Sequence, residues 1–180
     1  MNTSIYKSLN RNTTISDKLS SILNNIPDFL KGTQKKSEEK ETKINLATKT
    51  NEIINSYSLK GKKILVVDDN IMNRMVANVI LKEFDVLVSE ANDGEEAVNY
   101  LQNNTCDLIL MDLEMPILNG YEASKIIRHK LKLNIPIIAL TASNVEEEKK
   151  KCFEVGMNDY LFKPFNKYQF LQIIYKWLDI

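Results

Sequence analysis

Short apolar runs and amphipathic stretches alternate five times between residues 61 and 180. Runs of this length that end at turn residues are typical of strands buried in a parallel sheet. The five runs lie at 64–67, 85–91, 108–111, 137–140 and 160–162. The helical patterns between and after them begin close to Asn70, Asp93, Gly120, Asn144 and Asn166. Strict alternation predicts an α/β fold with helices on both faces of the sheet, and right-handed crossovers favour a doubly wound sheet.

Apolar positions at helical spacing predict which face of each helix is buried. The first helix is expected to bury the stripe Met72, Met75, Val76, Val79 and Ile80. On the last helix the apolar stripe is wider than one core-facing row needs. Two interpretations stay open for Phe170, Ile173 and Trp177. They form a broad contact with the core, or they form a surface that binds a partner or a second copy in only one state of the protein.

Residues 1–60 differ in character and predict an N-terminal extension or linker ahead of a domain at 61–180. Ile15, Leu19, Ile22, Ile26 and Phe29 follow a helical period, and a polar, charged run at 33–43 comes after them. This pattern fits a docking or oligomerising helix on a tether, and it fits a partly disordered tail equally well.

Composition and charge restrict the class of protein. The chain is 43% hydrophobic and 27% charged, with two cysteines and a net charge of zero. Residues 1–60 hold 10 basic against 6 acidic residues, and residues 61–180 hold 14 against 18, which is too mild an imbalance to predict nucleic-acid binding. Because no secretory signal, membrane-spanning run or cysteine framework is evident, we expect a cytoplasmic protein without a membrane segment.

Polar side chains follow four of the five predicted strands. Asp68 and Asp69 end the first, Asp112 the third, Thr141 the fourth and Lys163 the fifth. The ends of parallel strands meet at one sheet edge, where open α/β sheets place their chemistry. Three adjacent carboxylates repel one another unless a cation holds them, and an oxygen-only ligand set favours Mg²⁺. Asp112 is then available as a nucleophile toward phosphorus, with Thr141 and Lys163 placed to contact phosphoryl oxygens.

Residues 61–180 resemble the receiver domains of two-component response regulators, and they are most similar to the receivers of hybrid sensor histidine kinases. The resemblance is carried by ILVVDDN at 64–70, NR at 73–74, MDLEMP at 111–116 with Gly120, LTA at 140–142, GMNDY at 156–160 and KPF at 163–165. It implies a flavodoxin-like, five-stranded sheet of strand order 2-1-3-4-5 with five helices.

The resemblance also implies a chemical role for the acidic residues. Asp112 is expected to be the phosphoacceptor. Asp68, Asp69 and Asp112, with the backbone carbonyl of Glu114, are expected to bind Mg²⁺. Such a domain is a signalling module that supports only its own phosphorylation and dephosphorylation, so we do not expect an enzyme.

Three further residues match the family's switch. Thr141 and Tyr160 correspond to the switch pair, and Lys163 corresponds to the lysine that contacts the phosphoryl group. Phosphorylation is then expected to change the surface formed by the fourth helix, the fifth strand and the fifth helix, which would control a downstream protein and possible dimerisation.

The implied partners are a sensor histidine kinase or a histidine-phosphotransfer protein as donor, and a protein target rather than DNA, since no DNA-binding output module is expected. An alternative role is a receiver module of a hybrid histidine kinase that acts as a phosphorelay intermediate. Two other classes fit less well. A haloacid-dehalogenase phosphatase carries a second Asp two residues after its nucleophile, where Glu114 stands here. A flavodoxin-like cofactor binder needs a phosphate-cradling loop after the first strand, where Asp68 and Asp69 would repel a phosphate.

Overall fold

Five strands and five helices alternate along the described part of this computed structural model, residues 58–143 and 145–178. The strands are β1 (Lys63–Val67), β2 (Leu87–Ala91), β3 (Leu108–Asp112), β4 (Ile137–Thr141) and β5 (Asp159–Phe162). The helices are α1 (Ile71–Lys82), α2 (Gly94–Asn103), α3 (Gly120–His129), α4 (Glu146–Glu154) and α5 (Lys167–Trp177). Leu59–Leu178 form one compact unit. The helical stripe expected at residues 15–29 lies outside the described residues, and the division at residue 60 stays a prediction.

All strand pairs are parallel, in the order β2-β1-β3-β4-β5. This confirms the predicted doubly wound, flavodoxin-like sheet. Every residue of β3 and β4 is buried, because helices cover both faces of the central strands. The register pairs Val67 with Met111 and Asp112 with Leu140, so β1, β3 and β4 end at nearly the same level.

Four of the five helices begin with an asparagine or aspartate cap. The side chains of Asn70, Asp93, Asn119 and Asn166 each accept a hydrogen bond from a backbone N–H in the first turn of the helix they precede. Such a cap contributes about 1 kcal/mol of stability. Each capped helix follows the carboxyl end of a strand, so these helix N-termini lie along the same sheet edge as the candidate site.

The predicted buried face of α1 is wrong. Met72, Met75, Val76 and Val79 are between 50% and 59% exposed, and Ile80 is half-buried. The residues of α1 that are buried are Arg74, Ala77 and Leu81. The prediction follows the apolar positions at helical spacing. In the structure Arg74 lies on the inner face instead, where it has hydrogen-bond acceptors, and the apolar stripe therefore faces solvent.

On α5 the broad core contact is the interpretation that holds. Phe170 is fully buried and stacks on Phe165 with ring centroids 5.0 Å apart, and Ile173 is only 9% exposed. The partner-surface prediction is therefore wrong for Phe170 and Ile173. Trp177 is half-buried, and its indole N–H donates to Asp159 Oδ2 of β5 at 2.9 Å, which ties it to the sheet.

No helix among the described residues has both the length and the hydrophobicity needed to cross a bilayer.

Candidate functional site

Three carboxylates meet at the carboxyl edge of the sheet. Asp68 and Asp69 follow β1, and Asp112 is the last residue of the neighbouring strand β3. One carboxylate oxygen from each lies within 4.8 Å of the others. Asp68 is fully buried, Asp112 is 8% exposed, and Asp69 faces solvent. The structure therefore brings together the acidic set that the sequence predicts.

Lys163 reaches this cluster from the end of β5. Its ammonium Nζ lies 2.7 Å from Asp68 Oδ2 and 3.0 Å from Asp112 Oδ1. Its backbone N–H donates to the carbonyl oxygen of Thr141 at 2.7 Å, and the peptide bond from Lys163 to Pro164 is cis. Lys163, which follows β5, thus links Asp68 at the end of β1 to Asp112 at the end of β3.

Burial and neighbouring charges shift the pKa of both Asp112 and Lys163. Burial raises the pKa of Asp112 above its usual range, although the Lys163 ammonium pulls it down. For Lys163 burial alone lowers the pKa, but its hydrogen bonds to Asp68 and Asp112 outweigh burial and raise it. Lys163 therefore stays charged at neutral pH. The site holds one fixed cation between two carboxylates.

Asp68 is the most constrained of the three acids. Its Oδ1 accepts from the backbone N–H of Asn70 at 2.9 Å, and the Asn73 amide donates to both carboxylate oxygens at 3.0 and 3.1 Å. With Lys163 on Oδ2, the carboxylate is held in one orientation. Asn73 belongs to a motif named above, but it is not among the residues predicted for the site. Its position one helical turn after Asp69 was the available signal.

The predicted switch residues lie on the neighbouring strands. Thr141 ends β4 and is 6% exposed; its hydroxyl accepts from the backbone N–H of Ser143 at 3.0 Å. Tyr160 of β5 is half-buried, with its ring centroid 5.2 Å from that of Phe162 and 6.1 Å from that of Phe153 on α4. Thr141 thus belongs to the site edge, and Tyr160 packs in the aromatic group between β5 and α4.

Glu114 follows Asp112 by two residues, in the loop between β3 and α3, and its side chain is exposed. The Asp112 carboxylate accepts from the backbone N–H of Leu113 at 2.8 Å, which orients Asp112 at the start of that loop. The donor set is made of carboxylate oxygens, with neither histidine nor cysteine. Hard divalent cations such as Mg²⁺ prefer such ligands, so the residues present fit this ion.

A cavity of about 350 Å³ adjoins the acidic cluster between α1 and the loop after β5. Val76, Leu140 and Phe165 form much of its apolar wall, and Asp68 and Lys163 lie at its polar end. Val76, one of the exposed apolar residues of α1, therefore lines the same cavity as Asp68 and Lys163.

The sheet order and the acidic cluster define a doubly wound α/β domain with a candidate cation site at its carboxyl edge, and comparison with known proteins identifies its family. Residues 64–175 match the response regulator receiver domain family. The chain belongs to this family.

The relatives are receiver regions of much longer proteins. The chain is 36% identical over 127 residues to the sensor protein GacS of Pseudomonas syringae pv. syringae, a match that covers 68% of the chain and 14% of GacS. It is thus similar to the receivers of hybrid sensor histidine kinases, and it spans about one seventh of that relative.

Solved structures agree with this assignment. The receiver domain of the sensor histidine kinase PA1611 from Pseudomonas aeruginosa PAO1, which holds a magnesium ion in its active-site cleft, has a TM-score of 0.60 and 38% identity; the match covers 66% of this chain and 98% of that one. The receiver domain of Saccharomyces cerevisiae Ssk1, crystallised with the histidine phosphotransfer protein Ypd1, has a TM-score of 0.63 and 35% identity, over 67% and 91% of the chains.

Proposed function

We propose that this receiver domain accepts a phosphoryl group from a phosphohistidine onto Asp112 and thereby changes a surface that controls a partner protein. The observation that carries the proposal is the position of Asp112. It ends a buried strand, its oxygen contacts Lys163 at 3.0 Å, and two more carboxylates lie within 4.8 Å. A carboxylate in such a place can attack phosphorus, and the surrounding charges can position the transferred group.

The transfer exchanges one bond for another. The bond between phosphorus and the donor imidazole nitrogen breaks while a bond from an Asp112 carboxylate oxygen to phosphorus forms. The departing imidazole takes up one proton and leaves as neutral histidine. Mg²⁺, held by Asp68, Asp69, Asp112 and the backbone carbonyl of Glu114, would offset the negative charge of the phosphoryl oxygens.

Lys163 has two roles in this proposal. Before transfer it offsets part of the negative charge of Asp68 and Asp112, which otherwise repel an incoming phosphoryl group. After transfer its ammonium can pair with a phosphoryl oxygen and keep its contact with Asp68. We expect Thr141 to exchange its contact with Ser143 for a phosphoryl oxygen, which carries strong acceptor sites.

The movement of Thr141 would be transmitted through Tyr160. The Tyr160 ring touches Phe153 of α4 and Phe162 of β5, and the Lys149 ammonium lies 5.2 Å from its centroid. A shift of this ring would therefore repack the α4-β5 surface, and two packings of unequal stability form a switch that phosphorylation biases. Phe153 is 50% exposed, which makes α4 the better candidate for the controlled protein contact.

The exposed face of α1 is proposed as the docking surface for the phosphodonor. Ile71, Met72, Met75, Val76 and Val79 are each at least half exposed, and Val76 lines the cavity that also contains Asp68 and Lys163. A helical partner carrying the phosphohistidine could cover these side chains and reach Asp112. The co-crystal of Ssk1 with a histidine phosphotransfer protein supports this kind of partner.

Val79→Lys is expected to slow phosphotransfer from such a protein by about tenfold, because it places a charge on an apolar contact. Phosphorylation by the small donor acetyl phosphate should be unchanged. Leu87→Lys, on the outer strand β2 and 56% exposed against 59% for Val79, is the matched control. Equal rates for both variants in a phosphohistidine transfer assay would rule out α1 as the docking face.

Lys163→Met is expected to make the protein depend on Mg²⁺ for stability. Loss of the ammonium leaves the buried Asp68 carboxylate without its cation, at a cost of about 3 kcal/mol. Mg²⁺ should restore more stability to this variant than to the wild type, because the ammonium no longer competes for the carboxylates. Urea unfolding with and without excess Mg²⁺ measures both effects, with the exposed Lys125→Met as control. An equal gain from Mg²⁺ in all three proteins would contradict the expectation.

The similarity to hybrid kinase receivers favours a second role as a relay intermediate, in which the phosphoryl group moves on from Asp112 to another histidine. The two roles differ in one measurement. A relay intermediate returns the group to a histidine-phosphotransfer protein within minutes, whereas an end-point regulator retains it until hydrolysis.

A further inference from the structure

Arg74 is a buried charge on a helix that exposes most of its large apolar side chains. It is 8% exposed, and it lies on the inner face of α1 with Ala77 and Leu81. Burying a guanidinium is unfavourable unless its donors are satisfied. Since apolar residues are available on the same helix to fill this place, the contacts that hold Arg74 inside must be sufficient to keep it there.

Those contacts are made to the main chain of the acidic loop. Arg74 Nη1 donates to the carbonyl oxygen of Asp68 at 2.7 Å and more weakly to that of Asp69 at 3.3 Å. Arg74 Nε donates to Glu90 Oε2 of β2 at 3.1 Å. The guanidinium therefore links the two residues whose side chains enter the metal site to the neighbouring strand.

Glu90 offsets the positive charge of Arg74, which lies behind the candidate cation site. A positive charge behind the loop would by itself oppose the binding of a divalent cation in front of it. Glu90 forms an ion pair with Arg74, and its other oxygen accepts a hydrogen bond from the Asn78 amide. The Arg74–Glu90 pair therefore carries no net charge, and what remains is a rigid planar donor on the loop carbonyls.

We propose that Arg74 is a positioning residue for divalent-cation binding. By fixing the carbonyls of Asp68 and Asp69 on the inner side of the loop, it directs both carboxylates toward Asp112. The same contacts set the rotation of α1, which presents Met75 and Val79 to solvent. The proposal rests on the proposed function at one point, the use of Asp68 and Asp69 as cation ligands.

The test compares Arg74→Met with Leu81→Ala in the full chain. Both remove a buried side chain from α1, but Leu81 lies seven residues beyond Arg74, about 10 Å further along the helix axis from the acidic loop. Its truncation costs about 2–5 kcal/mol. Mg²⁺ titration followed by calorimetry is expected to show at least about tenfold weaker binding for Arg74→Met, the usual effect of losing a residue that orients metal ligands. Leu81→Ala should bind as the wild type does. Arg74→Lys, which can reach one carbonyl at a time, should lie between them.

Exchange of the Asn70 amide hydrogen in metal-free protein gives a second readout. This N–H donates to Asp68 Oδ1, so it reports the order of the loop directly. Relative to the amides of β3, it should exchange about tenfold faster in Arg74→Met and at the wild-type rate in Leu81→Ala. Wild-type Mg²⁺ affinity in Arg74→Met, or matched losses in both variants, would overturn the proposal. If the wild type bound no Mg²⁺, the proposed metal site would fail, and unchanged Asn70 exchange would still decide against Arg74.

Discussion

Asp112→Asn is expected to abolish phosphorylation while leaving the fold intact. The amide oxygen is a far weaker nucleophile than a carboxylate, so incorporation from acetyl phosphate should fall below about 1% of the wild-type level. Asn has nearly the same shape, and its oxygen can still accept from the backbone N–H of Leu113, as Asp112 does at 2.8 Å. The measurement is the base-labile adduct, detected by intact mass in the presence of Mg²⁺.

Asp93→Asn is the matched control for this substitution. Asp93 caps α2 through its side-chain oxygen, and Asn caps a helix about as well. Its phosphorylation should therefore equal that of the wild type. An adduct of wild-type yield in Asp112→Asn would mean that another residue accepts the phosphoryl group. Absence of any adduct in the wild type, with kinase and small donors alike, would remove the proposed function itself.

Gly120→Ala is expected to lower the free energy of unfolding by about 2–4 kcal/mol, because the added methyl has no space. A Cβ at this position would overlap the backbone carbonyl oxygen of Asp112 and press on Leu113. Both groups are main chain, so no side-chain rotation relieves the overlap. The loop that follows the phosphoacceptor must shift, or α3 must move away from β3.

Urea unfolding measures this effect, and Lys125→Ala on the same helix is its control. Lys125 is exposed, and alanine is a good helix former, so the control should change stability by less than about 0.5 kcal/mol. Phosphorylation of folded Gly120→Ala should also be slower, since the displaced carbonyl belongs to Asp112. A stability equal to that of the control would show that the loop tolerates the methyl and that the close approach is not required.

The difference between α1 and the other elements shows where reasoning from sequence succeeds. The central strands β3 and β4 could be predicted because they are buried on both faces, so nearly all of their residues are apolar. Asp68, Asp69, Asp112 and Lys163 could be placed together because parallel strands end at one edge. The face of α1 could not be predicted from periodicity, since burial of Arg74 depends on acceptors in the loop after β1 and on β2, which lie outside the helix.

The last helix shows the same limit, but here the apolar residues that were candidates for an exposed surface are buried. Phe170 and Ile173 belong to a stripe wider than one row, and a wide stripe is compatible with a core contact or an exposed surface. Only packing against Phe165 and the sheet decides for the core. Asn73 is a similar case, because its contact with both oxygens of Asp68 depends on where the first turn of α1 lies.

The amino-acid sequence by itself determined the α/β alternation, the strand that carries Asp112 and the chemistry available at the sheet edge, because these follow from local hydrophobic patterns and from the common direction of parallel strands. The tertiary structure alone decided the distances from Lys163 to Asp68 and Asp112, the orientation of Asp68 by Asn73, and the exposure of the apolar face of α1. Each of these depends on side-chain contacts that exist only once the strands and α1 have packed together, and a hydrophobic pattern does not report such contacts.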